Sequence, residues 1–105
     1  MAKKIFISGE KLRAIVESYG ILELVSMYAK EFNVKGNLVW FICPSHPDKS
    51  LGSTVAYIDK NDYYCWGCNK GGDIWTLAQE FIREKYGSTN YNDFLEALAG
   101  DLGID

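Results

Sequence analysis

The feature that most constrains this chain is the placement of its cysteines and histidine. The 105 residues include three cysteines and one histidine, which form two spaced pairs, Cys43-x-x-His46 and Cys65-x-x-Cys68. Structural zinc is held tetrahedrally by four Cys or His side chains, and pairs in tight turns direct their donor atoms to one point. The spacing therefore predicts one structural zinc bound by Cys43, His46, Cys65 and Cys68. Four protein ligands leave no open coordination position, so this zinc would organise the fold and not perform catalysis.

A redox role is the main alternative for the cysteines. A lone Cys-x-x-Cys can act as a dithiol pair, but thioredoxin-like proteins place it between a strand and a helix of a βαβ unit. That pattern is missing around Cys65 and Cys68, and a redox pair would leave Cys43 and His46 without a role. The odd cysteine count and the lack of a secretion signal also argue against a disulfide framework.

The N-terminal third predicts two helices. Apolar residues recur at helical spacing over residues 10–19, where Ser8 can cap the start and Gly20 can end the helix. A second helical pattern runs from Leu22 to Phe32. The following Gly36-Asn37 predicts a turn that ends this helix.

The middle of the chain predicts three strands, over residues 38–42, 54–58 and 63–66. Turn-forming residues 59–62 separate the last two, which predicts a β-hairpin. A four-residue turn pairs Ile58 with Tyr63 and Tyr57 with Tyr64. One face then carries Val55, Tyr57, Tyr64 and Trp66, and the other carries Ala56, Ile58, Tyr63 and Cys65.

Two further helices follow. Asp73 is placed to cap the first, Gly87 to end it, and Asn90 to cap the second, with Asp93 in the first turn of that helix. Trp75 falls on the predicted core side of the first helix. Gly71-Gly72 reads as a flexible entry to this helix rather than as a phosphate cradle. The core-facing residues of the pair are Ile74, Leu77, Ala78, Phe81, Ile82, Phe94, Leu95, Leu98 and Leu102.

The predicted fold class is α+β: a small zinc-ribbon antiparallel β-sheet flanked by two N-terminal and two C-terminal helices. We expect a single domain over residues 1–105, with the ribbon core at about 38–72. No apolar stretch approaches the roughly 18 residues of a membrane helix, and the start of the chain does not resemble a signal peptide, so a cytoplasmic protein without membrane partners is expected. We also expect a monomer. The net charge of −3 argues against strong non-specific binding of nucleic acid.

Beyond these patterns, the chain resembles a known family. Residues 43–50 (CPSHPDKS) and 63–74 (YYCWGCNKGGDI) resemble the zinc-binding N-terminal domain of bacterial and phage DNA primases. The helix predicted over residues 21–32 resembles the lead-in of that family, and residues 94–99 resemble its closing helix. The likeness covers about residues 10–104.

This resemblance implies the same zinc ligands, Cys43, His46, Cys65 and Cys68. It also matches Lys49 to the basic residue that follows the first ligand pair in the family. In the family this domain helps to select the single-stranded template, and a separate polymerase domain makes the primer. The implied partners are single-stranded DNA and a primase catalytic domain or another replication protein such as a helicase. The implied origin is a bacterium, a phage or a mobile element.

Two departures from the family pattern matter. Leu51-Gly52-Ser53 stands where the family has Pro-Ser-Phe, so an aromatic position is lost. No acidic cluster for a two-metal polymerase is present, so we expect no primer synthesis and no catalytic residues in this chain alone. The chain is then either a piece of a longer primase or a stand-alone relative.

Single-stranded nucleic acid is bound by aromatic side chains that stack on bases and by cations that pair with phosphates. The resemblance therefore leads us to expect a zinc-binding module that recognises the single-stranded DNA template of a primase or primase-like replication protein. The alternative, which the lost aromatic and the acidic charge support, is a zinc-stapled module that binds a protein and no DNA. The candidate nucleic-acid contacts are the aromatic residues of one hairpin face and the lysines near it in the sequence: Tyr57, Tyr64, Trp66, Lys49, Lys60 and Lys70.

Overall fold

The structure, a computed structural model, describes residues 8–44, 53–87 and 90–103, and the statements below concern those residues. It contains four helices and one five-stranded antiparallel sheet with strand order β1-β2-β3-β4-β5. The predicted α+β class, with two helices before and two after the sheet, is confirmed. The elements are α1 Gly9–Tyr19, α2 Ile21–Tyr28, β1 Phe32–Lys35, β2 Leu38–Phe41, β3 Thr54–Tyr57, β4 Asp62–Cys65, β5 Lys70–Asp73, α3 Ile74–Tyr86 and α4 Tyr91–Asp101.

Helix α1 has the predicted ends. The Ser8 hydroxyl accepts a hydrogen bond from the Lys11 backbone N–H at 3.1 Å, and Gly20, with φ of 91°, ends the helix. Leu12 and Val16 point into the core, as their spacing predicts. Local signals therefore define this helix.

The predicted extent of α2 is wrong. The helix ends at Tyr28, and Phe32 begins strand β1, which the sequence did not predict. The Gly36-Asn37 turn is present, but it connects β1 to β2, with Lys35 opposite Leu38. Phe32 fits a helical period but lies in a strand because β1 pairs with β2 along its whole length. The stabilisation from this pairing comes from distant residues, so local propensity does not show it.

The predicted β3–β4 hairpin exists, but its pairing is shifted. Tyr57 lies opposite Asp62 and Val55 opposite Tyr64, so the four-residue turn is 58–61 and not 59–62. Asn61 adopts a left-handed φ of 53° there, which asparagine tolerates better than most residues. The shift keeps every side chain on its predicted face, because the partners move by two positions and the alternation has a period of two.

Gly71-Gly72 is not a flexible helix entry. It lies within strand β5, which pairs with β4 and was also not predicted. A Cβ on Gly71 would collide with the Tyr63 carbonyl oxygen, and one on Gly72 would lie 2.9 Å from the Thr76 side chain. Both glycines therefore permit close packing of the last strand against β4 and α3.

Helices α3 and α4 begin as predicted. The Asp73 carboxylate accepts from the Thr76 backbone N–H, and the Asn90 side chain accepts from the Asp93 N–H. Gly87 ends α3. Trp75 is buried and packs edge-to-face on Phe94 with centroids 5.1 Å apart, so its core assignment is confirmed.

The sheet has two distinct faces. The inner face packs against the helices and joins one core cluster with them through Val39, Phe41, Ala56 and Tyr63. The outer face, as the term is used below, comprises Leu38, Trp40, Val55, Tyr57 and Tyr64, with Trp66 beside them; none of these six belongs to that core cluster. Among the described residues, no helix is long and apolar enough to span a membrane.

Candidate metal centre and outer face of the sheet

Three cysteine sulfurs converge at one end of the sheet. Cys65 ends β4, Cys68 lies in the turn between β4 and β5, and Cys43 follows β2. The three Sγ atoms lie within 4.8 Å of one another, and those of Cys43 and Cys68 are 3.6 Å apart. The sheet thus brings together cysteines that are up to 25 residues apart in the sequence.

This arrangement suits a thiolate-bound zinc. Tetrahedral Zn–S bonds of about 2.3 Å place two sulfurs about 3.8 Å apart, close to the Cys43–Cys68 separation. The Cys68 backbone N–H also points at Cys65 Sγ from 3.4 Å, the arrangement that a tight Cys-x-x-Cys turn produces. Cys43 and Cys65 are 2% and 1% exposed, so a bound ion would be shielded on that side.

Burial and the close approach of the three sulfurs shift the pKa values of Cys65 and Cys68. Burial raises the pKa of the Cys65 thiol, but polar contacts to its sulfur, chiefly with the Thr54 side chain and the Cys68 N–H, outweigh burial and lower the pKa. Burial and the neighbouring sulfurs of Cys43 and Cys65 raise the pKa of Cys68 to about 12. Three thiolates at this spacing repel one another, and a divalent cation at their centre would remove that repulsion.

Two of the predicted site residues, His46 and Lys49, lie outside the described residues, as do Leu51 and Gly52 of the lost aromatic motif. The assignment of His46 as the fourth ligand therefore stays a prediction, and so does the match of Lys49 to the basic residue of the family. In the structure, the cysteine cluster supplies three of the four predicted ligands.

The predicted aromatic residues do lie together. On the outer face the rings of Trp40 and Trp66 stack with centroids 6.3 Å apart, and Tyr64 meets Trp66 edge-to-face at 5.2 Å. Trp66 is 52% exposed. Val55, opposite Tyr64 in the register, is buried at the centre of this surface.

Of the predicted lysines, Lys60 joins this surface and Lys70 does not. The Lys60 ammonium lies 5.9 Å from the centroid of the Tyr57 ring, within range of a cation–π contact. Lys70 pairs with Cys65 on β4, so strand alternation places it on the opposite side from Tyr64.

Sequence reasoning missed two residues of the outer face. Trp40 contributes a ring to its centre, and Lys35 shares that side of the sheet because it pairs with Leu38. The alternation of Val39 and Phe41 with Trp40 was the available signal for the tryptophan. Lys35 was missed because strand β1, in which it lies, was not predicted.

An open groove of about 560 Å³ borders the outer face on the β5 side. Tyr57 and Tyr64 line it together with the carboxylates of Asp62 and Asp73. The surface is therefore aromatic at its centre, cationic near Lys60 and acidic along this border.

Comparison with known proteins gives a consistent result. The sequence model of the DnaG zinc ribbon, described as the CHC2 zinc finger, matches residues 7–105. A DNA primase of Streptomyces coelicolor is 31% identical over 98 residues, which is 93% of this chain and 14% of that protein. A DNA primase of Staphylococcus aureus is 36% identical over 69 residues, 66% of this chain and 11% of that protein.

A solved structure has the same fold. The Aquifex aeolicus primase, crystallised as its zinc-binding and RNA polymerase domains, superposes with a TM-score of 0.63 at 24% identity. The match covers 94% of this chain and 23% of that one. This chain therefore spans a small fraction of the length of each primase it resembles.

Proposed function

The chain belongs to the CHC2 zinc-finger family of DnaG-type DNA primases, and from that premise we propose that it recognises single-stranded template DNA through the outer face of its sheet. One structural zinc, bound by Cys43, His46, Cys65 and Cys68, holds the strand ends that carry this face. Primer synthesis itself would require a polymerase domain, supplied by the same protein or by a partner. The relatives named above are bacterial, which favours a bacterial, phage or mobile-element replication system.

The observation that carries the proposal is a group of aromatic rings on the outer face, of which Trp66 is exposed and Trp40 and Tyr64 are half-buried. Trp40, Tyr64 and Trp66 form a contacting set of rings on the sheet face that the helices do not use for the core. Each nucleobase has a π-face that stacks on such rings, whatever its sequence. Partly exposed aromatic rings that lie outside the core cluster are typical of a binding surface, and such a surface favours a stacking ligand.

Charge limits how this binding works. The chain has a net charge of −3, so its affinity cannot rest on general attraction to phosphates. Lys60 beside Tyr57 and Lys35 on the same side of the sheet supply local positive charge. Binding through stacking with few ionic contacts is therefore expected, with a correspondingly shallow salt dependence.

Fluorescence anisotropy of labelled single-stranded DNA, titrated with the zinc-loaded protein at low and then higher salt, tests the proposal. Zinc content is measured on the same sample. We expect binding that weakens moderately with salt and disappears when zinc is chelated. A Lys49→Glu variant should bind more weakly, and an unchanged affinity would contradict the assignment of that lysine.

A second candidate function is a zinc-stapled module that binds a protein, such as a primase catalytic domain or a helicase. The acidic net charge favours it, and the outer face could equally accommodate apolar side chains of a partner. One zinc per chain with no DNA binding even at low salt would favour this candidate and overturn the first.

A further inference from the structure

Asn61 connects the tip of the β3–β4 hairpin to the helices behind the sheet. Its side-chain Oδ1 accepts a hydrogen bond from the Ile21 backbone N–H at 3.1 Å. Its Nδ2 donates to the Glu17 backbone carbonyl at 3.3 Å. The two contacts bridge 40 and 44 residues of sequence, so one amide side chain joins three elements of the fold.

Both backbone groups that Asn61 contacts lie at helix ends. Helix α2 begins after Gly20, which has no side chain to cap it. Asn61 supplies an acceptor to the first N–H of that helix, one of the four backbone N–H groups that have no partner within the helix. The Glu17 carbonyl lies in the last turn of α1, where carbonyl groups lack a partner within the helix.

The backbone of Asn61 is equally specific. Its φ of 53° lies in the left-handed region, where glycine and asparagine are the favoured residues. Glycine would accept the backbone but lose both hydrogen bonds. Most other residues would strain the backbone. Asparagine therefore fits this position for two reasons, its tolerance of the left-handed backbone and its two side-chain hydrogen bonds.

The same turn carries part of the outer face. The N–H groups of Lys60 and Asn61 both donate to the Tyr57 carbonyl, at 3.2 and 2.9 Å. The Lys60 ammonium lies over the Tyr57 ring, and Asp62 pairs with Tyr57 across the hairpin. The conformation of the turn therefore determines where Lys60 lies relative to Tyr57.

We propose that Asn61 is a positioning residue for nucleic-acid binding: by capping α1 and α2 it holds the hairpin turn so that Lys60 stays over Tyr57. This inference rests on the proposed binding of single-stranded DNA by the outer face. A preformed arrangement saves the entropy of ordering the turn when DNA binds. Loss of the side chain should lower affinity even though Asn61 itself does not touch DNA.

The test compares Asn61→Gly with Asn69→Gly. Both residues have left-handed backbones, with φ of 53° and 56°, so glycine is tolerated equally at the two positions. Affinity for an unstructured labelled oligonucleotide is measured by anisotropy over a range of salt concentrations, at a temperature where circular dichroism and zinc content show each variant folded. We expect Asn61→Gly to weaken binding about threefold to tenfold and Asn69→Gly to leave it near the wild-type value.

Salt dependence separates positioning from simple destabilisation. Each lysine–phosphate contact on a single strand contributes about 0.7 to the slope of log affinity against log salt. Lys60→Gln should remove about that amount, Asn61→Gly should remove a similar amount, and the double variant should lose no more than either. A role in stability alone would lower the melting temperature of Asn61→Gly and leave the salt slope at the wild-type value, which would overturn the inference.

A measurement on the wild-type protein covers the case in which Asn61→Gly does not fold. If the Asn61 contacts favour DNA binding, DNA binding must favour those contacts by the same factor. Hydrogen exchange at the Ile21 amide should therefore slow when saturating oligonucleotide is added. Binding without slower exchange there would overturn the positioning role, whereas no binding by the wild-type protein would overturn the proposed function itself.

Discussion

The two faces of the sheet carry comparable aromatic and apolar side chains but differ in what they contact. On the inner face Phe41 is fully buried and packs against Phe81 of α3, with the two ring centroids 5.8 Å apart. On the outer face Trp66 is half exposed, and within the part of the chain that the structure describes its ring contacts are with Trp40 and Tyr64. Hydrophobic content therefore identifies a strand but does not identify which of its faces is the core.

If the outer face binds DNA as proposed, this difference separates the effects of substitutions on stability from their effects on binding. Substitutions on the inner face leave cavities in a close-packed interior, and they should act through the free energy of unfolding. Substitutions on the outer face remove contact area that is partly open to solvent, and they should act on binding. The cysteine cluster lies at the end of strands that contribute to both faces, so its loss should affect both.

Removal of zinc should have the largest effect. Structural zinc sites contribute on the order of 10 kcal/mol of apparent binding free energy, most of it used to fold the site. After chelation we expect the sheet signal in circular dichroism and all DNA binding to be lost, with part of the helical signal retained. The three thiols should change from protected to reactive in an alkylation assay.

An unchanged spectrum and affinity after chelation would contradict the structural role of the metal. A zinc-free protein as purified, with rapidly alkylated thiols, would contradict the metal site and revive the redox interpretation of Cys65 and Cys68.

Phe41→Ala should give the next largest effect, on the inner face. A fully buried phenylalanine truncated to alanine typically costs about 3–5 kcal/mol. Denaturant unfolding should show a loss in that range, and DNA affinity corrected for the folded fraction should stay near wild type. A large loss of affinity in fully folded protein would show that the two faces are not separable.

Trp66→Ala should show the reverse on the outer face. Base–aromatic stacking contributes about 1–3 kcal/mol per base, so affinity for single-stranded DNA should fall about tenfold or more. Stability should change by less than about 1 kcal/mol, because the side chain is 52% exposed. Tyr19→Ala, at a similarly exposed aromatic residue on α1, is the matched control and should bind normally.

Asp101→Asn, at the last residue of α4, should have the smallest effect. The Asp101 carboxylate accepts from the hydroxyls of Tyr28 and Tyr86 at 2.6 and 2.8 Å, and the Lys85 ammonium lies 3.3 Å away. Burial raises the pKa of Asp101, but these contacts outweigh burial and lower it. The free energy of unfolding of the variant should be about 1–2 kcal/mol lower than that of the wild type at neutral pH.

The sign of its pH dependence follows from that lowered pKa. Stability from Asp101 is fully present above its unfolded value of 3.8 and is lost as the pH falls through the lower folded value. The difference in free energy of unfolding between wild type and variant should therefore be constant near neutrality and shrink in acid. Denaturant unfolding of both proteins at the same series of pH values measures it. A difference that grows in acid would contradict this account.

Much of the architecture was predictable from short-range signals. The caps at Ser8, Asp73 and Asn90 and the terminating glycines Gly20 and Gly87 all act where the sequence indicated. Each depends on a hydrogen bond or dihedral angle within a few residues, so the local sequence is enough to find it.

The candidate site was predictable in its chemistry but not in its full surface. Spacing identified Cys43, Cys65 and Cys68 as a cluster, and alternation placed Tyr57 and Tyr64 on one face. Trp40 and Lys35 were missed because their place on that face depends on pairing among β1, β2 and β3.

The sequence by itself determined the helix ends, the ligand spacing and the alternation of side chains, because each of these is a property of neighbouring residues. Tertiary structure alone decided that residues 32–35 and 70–73 become strands, that the hairpin turns at 58–61, and that the face bearing Trp66 points away from the helices. Those outcomes depend on contacts between distant segments, such as Asn61 with Ile21, and their energies are not contained in any short stretch of the chain.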